Sequence, residues 1–349
     1  MDYQPLTRDE VRSVIEGRGA ASRVPVLLHF WVGPDAFGER AQAVRDILAR
    51  YPEDVQHIGT RLPEVFKAPA DDPEYRWVDF DEPKSDATTG LDERGAISDW
   101  NQLDRILKHF PNPRYAGLFP SAPAPDGRYR LASWWYCLFE RHWQLRGMTN
   151  ALMDYYTDAA NVHRLFRAVT DFYLVLMERA KNEIGVDGIF TSDDLGTQTG
   201  PFFGPAIFRE FYRPYYKELV DKAHSLGMHF WLHTCGNVEK YMPEFIRAGL
   251  DVIHPIQKYT MDEKRIAAKY GKDICIWSGF DVQRIIPFGT PEDVRREVRF
   301  LMDTFQRREG RMMFTAGNAV KGDCPIESLA ALFDEAFKYG TEIAAKRKV

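Results

Sequence analysis

Short apolar runs alternate with amphipathic stretches from about residue 184 to the end of the chain. Residues 186–192, 228–233, 251–256, 274–278 and 311–315 read as buried strands. Between the first two, residues 205–225 read as a helix. Phe208, Phe211, Tyr212 and Tyr215 fall at helical spacing there, and Gly227 supplies a C-cap. Further helices are predicted over 238–248, stopped by Gly249, and over 261–270, stopped by Gly271. Thr290-Pro291-Glu292-Asp293 opens another with an N-cap and an N1 proline, running to about residue 306. The last helix is expected over about 325–346.

Repeated right-handed βα units give either a doubly wound sheet or a closed barrel. No Gly-rich dinucleotide turn follows any of these strands, which weakens the doubly wound reading. Residues 24–32, 54–60 and 128–135 offer three earlier strands. The total reaches eight, so a (β/α)₈ TIM barrel is expected, with residues 1–349 as a single domain. Residues 67–125 break the pattern, being irregular and rich in Pro, Asp and Gly. They read as an elaborated N-terminal insertion within the barrel, whose Trp77, Phe80 and Trp100 would fold over a pocket mouth or serve as its own apolar anchor.

Composition narrows the function. Net charge is −5, from 46 basic and 51 acidic residues, and no basic tract is present. Nucleic-acid binding and attachment to an acidic membrane are therefore disfavoured. The first residues lack the basic and apolar regions of a signal peptide. No apolar run approaches the ~18 residues of a membrane span. The cysteines at 137, 235, 275 and 324 are few and far apart, against a disulfide framework and for a cytoplasmic protein.

Catalytic groups of a barrel sit at the C-terminal ends of its strands. Those ends hold His29 and Trp31, then Asp193, Asp194 and Gln198, then His233 and Cys235. Next come Gln257, the Ser278-Gly279-Phe280-Asp281 stretch, and Asn318. His233 and Cys235 stand two positions apart and so project to the same side of a strand. Imidazole plus thiolate is half of a zinc site. Cys324, six residues beyond Asn318, is the obvious further thiolate. Cys137 and Cys275 read as buried core residues. Asp193 and Asp194 are adjacent and point to opposite sides, so one is expected to face the pocket. A pocket carboxylate is an acid or base, a metal ligand, or a clamp on a cation. The other would cap a helix or bind a loop. His29, Trp31 and Trp277 are expected on the pocket wall, with Trp277 equally readable as barrel core. Gln198, Gln257 and Asn318 are expected as polar substrate contacts.

From about Arg114 onward, and more loosely from Val24, the chain resembles the uroporphyrinogen decarboxylase superfamily. The resemblance rests on Val186-Asp187-Gly188-Ile189, Asp193-Asp194-Leu195-Gly196, Tyr212-Arg213-Pro214-Tyr215 and His233-Thr234-Cys235-Gly236-Asn237. It continues with Gly279-Phe280-Asp281-Val282-Gln283, Gly289-Thr290-Pro291-Glu292-Asp293-Val294 and Pro325-Ile326-Glu327-Ser328. The superfamily contains decarboxylases of haem biosynthesis and zinc-dependent methyltransferases that serve corrinoid proteins. Decarboxylases carry Met-Arg-Gln-Ala-Gly-Arg after the first strand. Here Leu28-His29-Phe30-Trp31-Val32-Gly33-Pro34 has no arginine. In the methyltransferases the His-x-Cys pair binds zinc, and a further Cys follows Gly after the eighth strand, where this chain has Gly317-Asn318. A related class uses a Glu one strand away, where this chain has Gln257.

The resemblance thus implies a methyltransferase that moves a methyl group from a small O-, N- or S-methylated substrate to a separate corrinoid protein. His233 and Cys235, with Cys324 or another donor, would hold zinc. Asp193 or Asp194 would serve the substrate. A carboxy-lyase acting on a tetrapyrrole or another carboxylate is the alternative, and a barrel that binds without catalysis a third. A homodimer is left open.

Overall fold

The computed structural model describes residues 3–19, 21–82 and 95–348. Its centre is one parallel sheet of seven strands: β1 (Val55–Gly59), β2 (Tyr129–Trp134), β3 (Gly188–Ser192), β4 (His229–His233), β5 (Val252–His254), β6 (Cys275–Phe280) and β7 (Met312–Ala316). They pair in sequence order, with helices in the connections. β2 to β7 are buried at every position. Such strands must be apolar on both faces, which is why they show in the sequence as continuous runs rather than alternations.

The sheet curls into a barrel with eight positions, and the eighth is not a strand. Residues 24–32 lie beside β7 through isolated parallel bridges, Val26 with Phe314 and Val32 with Val320. His29–Trp31 winds into a 3₁₀ turn. Pro25 has no N–H to give a ladder. The Val26 N–H goes to Asp54 Oδ2 at 2.8 Å rather than to a strand partner. Asp54 also accepts the Leu6 N–H at 2.9 Å and pairs with Arg23. This buried carboxylate therefore joins the first position to the start of β1, and the expected eight-strand count becomes, among the described residues, seven strands and one side-chain seam.

The helices follow their sequence signals closely. Thr290 caps Pro291–Phe305 with a reciprocal Asp293 bond. Asp262 caps Glu263–Tyr270, two residues later than expected. The predicted 205–225 helix contains a π-helical turn at Phe208–Tyr212. The C-terminal helix runs Ile326–Lys348.

Part of the insertion, residues 83–94, lies outside the described residues. The remainder is pinned to the barrel rather than spread as a lid. Trp77 is fully buried, with Nε1 donating to the Pro63 carbonyl at 2.8 Å. Trp100 donates to Asp154 Oδ1 at 3.1 Å. Phe80 packs against Phe66.

The barrel interior is filled by aromatic rings. Trp277 meets Phe190 at 5.2 Å and Trp231 at 5.4 Å between centroids. Trp277 is thus core, and it forms the floor beneath the strand ends. No helix among the described residues is long and apolar enough to cross a membrane.

Candidate metal centre

Two loops, after β3 and β4, come together at the C-terminal face. Gly236 has φ +82°, a conformation that favours glycine, and a Cβ there would run into the Gly196 backbone. A Cβ on Gly196 would likewise meet the Asn237 amide nitrogen at 2.7 Å. With both side chains absent, the loops zip together. The Asn237 N–H donates to the Thr197 carbonyl at 2.8 Å, and the Leu195 N–H to Thr234 Oγ1 at 3.1 Å.

This apposition converges three donor side chains. Asp194, His233 and Cys235 each place a ligand atom within 4.8 Å of the others. Cys235 Sγ lies 3.2 Å from His233 Nε2, and Asp194 Oδ1 3.5 Å from the same nitrogen. The Cys235 N–H donates to Asp194 Oδ1 at 2.7 Å, fixing the carboxylate in place. Ligand atoms bound ~2.0–2.3 Å from one zinc stand at comparable separations.

The hydrogen bonds behind His233 assign its protons. His254 Nε2 lies 3.0 Å from the Ala316 carbonyl, which can only accept. Nε2 of His254 therefore carries the hydrogen. Burial, reinforced by His233, pushes His254 well below its ordinary pKa, so the ring is neutral and its Nδ1 is a lone pair. His233 Nδ1, 2.7 Å away, must donate to it. That leaves His233 Nε2 as a bare lone pair facing Cys235 and Asp194. His233 is itself lowered by burial, against the pull of Asp194. A neutral imidazole with an oriented back-side bond is what a metal ligand requires.

Electrostatics points the same way. Burial and the Asp194 carboxylate both raise the Cys235 thiol. With that shift Cys235 is a neutral thiol, and a bound divalent ion would be needed to hold it as a thiolate beside the carboxylate. The donor set of imidazole, thiol and carboxylate is thus of the kind that fits zinc.

The structure sorts the expected site residues. Asp193 faces away from the pocket. It is fully buried and accepts the N–H groups of Leu138, Phe139 and Glu140 at 3.2, 3.1 and 2.8 Å, plus the Tyr216 hydroxyl at 2.6 Å. It caps the helix Phe139–Arg146, and burial lifts its carboxyl to about 6. Cys324 lies outside the donor group. It is buried before the C-terminal helix, its thiol directed at the carbonyls of Pro325 and Ile286 at 3.4 and 3.9 Å, so Asp194 stands where it was expected. His29 turns outward, its Nε2 3.1 Å from the carbonyls of Leu48 and Tyr51. Gln198 sits on an exposed turn closed by Thr197 and Gly200. Gln257 spends its Oε1 on the Gly236 N–H at 2.5 Å. Asn318 remains beside the group, with Nδ2 3.8 Å from Cys235 Sγ. Trp31 stacks on His254 at 5.0 Å, nearly parallel.

The uroporphyrinogen decarboxylase (URO-D) family model matches residues 143–339. The chain belongs to this family. Methylated-thiol–coenzyme M methyltransferase of Methanosarcina mazei is 24% identical over 240 residues, spanning 64% of this chain and 58% of that protein. The chain thus aligns with less than two thirds of that relative's length. A solved structure of a methyltransferase from Methanosarcina mazei superposes with a TM-score of 0.58 at 11% identity, covering 96% of this chain and 99% of that one. At that identity the likeness speaks for the fold.

In this URO-D member Cys235 of the donor group opens onto a small cleft, and a larger cavity lies beyond Trp135. A cleft of about 80 Å³ is lined by Cys235, Gln257, Asp281 and Asn318. A larger cavity of about 530 Å³ lies over the ends of β1 and β2. Trp135 borders it, 40% exposed, with its ring edge-on to His233 at 5.7 Å. Tyr136, the next residue, lines the same cavity and holds a left-handed φ of +70°, a strained conformation for a bulky residue. Its N–H is fixed by Ser192 Oγ at 3.0 Å.

Sequence reasoning gave no role to three residues here: His254, Trp135 and Glu140. Glu140 is buried and bonded by the Ser192 hydroxyl, and burial with the Asp194 and Asp193 charges raises its carboxyl well above the ordinary range. A strand-end signal existed for His254, which closes its strand as His233 does. Glu140 carried none, because its neighbours come from a distant strand.

Proposed function

We propose that this protein is a methyltransferase that takes a methyl group from a small O-, N- or S-methylated substrate and passes it to a separate corrinoid protein. The observation that carries this reading is the Asp194–His233–Cys235 donor group, with His233 Nε2 held free by His254. The URO-D family membership and the methyltransferase relative support it.

Asp194, His233 and Cys235 would hold zinc. Bound there, zinc would act as a Lewis acid on the leaving heteroatom of the substrate. The protein's own residues perform the rest. Asp194, fixed by the Cys235 N–H, and His233, fixed by His254, hold the ligand geometry without rearrangement. Asn318 Nδ2 lies toward the Cys235 sulfur and moderates its charge. Trp31 and Trp277 close the barrel floor beneath His254 and exclude water from below. The methyl carbon would leave as a cation equivalent toward the reduced cobalt of the partner, its bonding pair staying on the heteroatom.

The test is metal content together with methyl transfer. Purified protein is expected to hold one zinc per chain, lost in Cys235→Ser, and to form methylcobalamin from reduced cobalamin and a methylated donor. Metal-free protein that decarboxylates a porphyrinogen would replace this reading by the carboxy-lyase one.

A further inference from the structure

The large cavity is edged by two cationic side chains. Arg141 and Arg61 both line it. Arg141 is 2% exposed. Its Nη1 donates to Gln144 Oε1 at 2.8 Å, and its guanidinium lies 4.5 Å over Trp77 and 5.5 Å from Tyr136. Its Nε is buried with no partner. Arg61 is exposed at the rim and donates to Tyr115 Oη at 3.1 Å, a hydroxyl itself held by Asp71. Among the described residues neither arginine forms an ion pair. Among the described residues, Glu64 is the one acid lining the cavity, and it is exposed at the rim. A buried cation facing a cavity without a counter-charge is costly unless an anion enters. Aromatic rings line the cavity as well: Phe30 and Trp135 lie roughly parallel, 6.1 Å between centroids, with the indole open to the cavity.

We infer that this cavity is the substrate subsite and that it takes an aromatic carboxylate, the carboxylate on Arg141 and Arg61 and the ring against Trp135. Guanidinium groups match a carboxylate's paired oxygens in a way a single ammonium does not. A cavity of about 530 Å³ is large enough for one substituted ring. Trp135 spans both places, lining the cavity and touching His233, so a methyl substituent at the far end of the ring would point at the donor group. That last step rests on the methyltransferase reading, whereas the anion subsite does not.

The test is calorimetric titration of the full-length protein with 4-methoxybenzoate and with 4-methoxybenzyl alcohol, which has the same ring and methyl ether without the charge. The benzoate is expected to bind at least about ten-fold more tightly, as hydrogen bonds to a charged group would give. That preference should vanish in Arg61→Gln and in Arg141→Gln, and persist in Cys235→Ser. Circular dichroism checks that Arg141→Gln folds; if it does not, Arg61→Gln decides alone. Equal affinity for the two probes, no binding of either, or a preference that survives the arginine replacements would overturn the subsite. Methylcobalamin formation is read separately. Arg-dependent benzoate binding without methyl transfer keeps the subsite and removes the methyltransferase reading. Methyl transfer with no preference for the charged probe does the reverse.

Discussion

His233 Nδ1 and His254 Nδ1 lie 2.7 Å apart, and this one bond decides which face of His233 is free. The two residues are register partners across β4 and β5, so the sheet itself sets the distance. His254→Phe should leave a buried N–H of His233 with no acceptor, at a cost of about 1–3 kcal/mol. Zinc affinity, measured by competition with a chromogenic chelator, should fall roughly 10–100-fold, the usual effect of losing such a partner. Unchanged affinity would mean that His233 does not bind metal through Nε2.

Asp193 and Asp194 are neighbours in sequence with opposite tasks. Asp193→Asn should lower unfolding stability by about 1–3 kcal/mol, because four hydrogen bonds converge on a buried charge. Its zinc content should be unchanged. Asp194→Asn should do the opposite, since that side chain is 42% exposed: little change in stability and loss of metal. Urea titration and elemental analysis of the two variants separate the roles, and matching behaviour in both would refute the assignment.

The parallel strands were legible because burial on both faces writes them as apolar runs. The first barrel position looked the same in sequence and is not a strand, since its edge is taken by Asp54, a contact no local pattern encodes. The His233–Cys235 pair was legible from the two-residue period of a strand. The same alternation said that one of Asp193 and Asp194 faces inward, but choosing between them needs the position of the helix Phe139–Arg146. Cys324 drew the third-ligand expectation because thiolate is the softer donor. The choice of Asp194 comes instead from two glycines 40 residues apart that let their loops touch.

Asp154 should govern acid stability. Burial would raise its carboxyl, but the Arg146 hydrogen bonds, with His142 Nε2 3.4 Å away, overcome that and hold it at about 2. Arg146 contacts it through Nε and Nη2, both at 2.8 Å. A carboxylate lowered in the folded state binds its proton more weakly there than in the unfolded chain. Its contribution is therefore full above about pH 4 and lost as pH falls through about 2. Asp154→Asn should cost roughly 2–4 kcal/mol near neutrality, since it strands the buried Arg146. The gap between the two proteins in urea midpoint should narrow as pH drops from about 4 to 2. A gap constant over that range would show that the pair does not titrate with folding.

The loop zipper is tested by comparing two glycines with similar backbones and different surroundings. Gly236 has φ +82° and Gly227 has φ +70°. A side chain at Gly227 meets nothing within 4 Å, whereas one at Gly236 meets the Gly196 backbone. Both replacements by Ala pay the left-handed penalty of about 1–2 kcal/mol. Only Gly236→Ala must also push the loops apart, breaking the Asn237–Thr197 bond and carrying Cys235 away from Asp194. Gly227→Ala is therefore expected to lose a few degrees in melting temperature and keep its zinc. Gly236→Ala should lose more stability and most of its metal. If the two variants retain zinc equally, the contact between the loops does not build the site, and Asp194 would have to reach the metal by some other support.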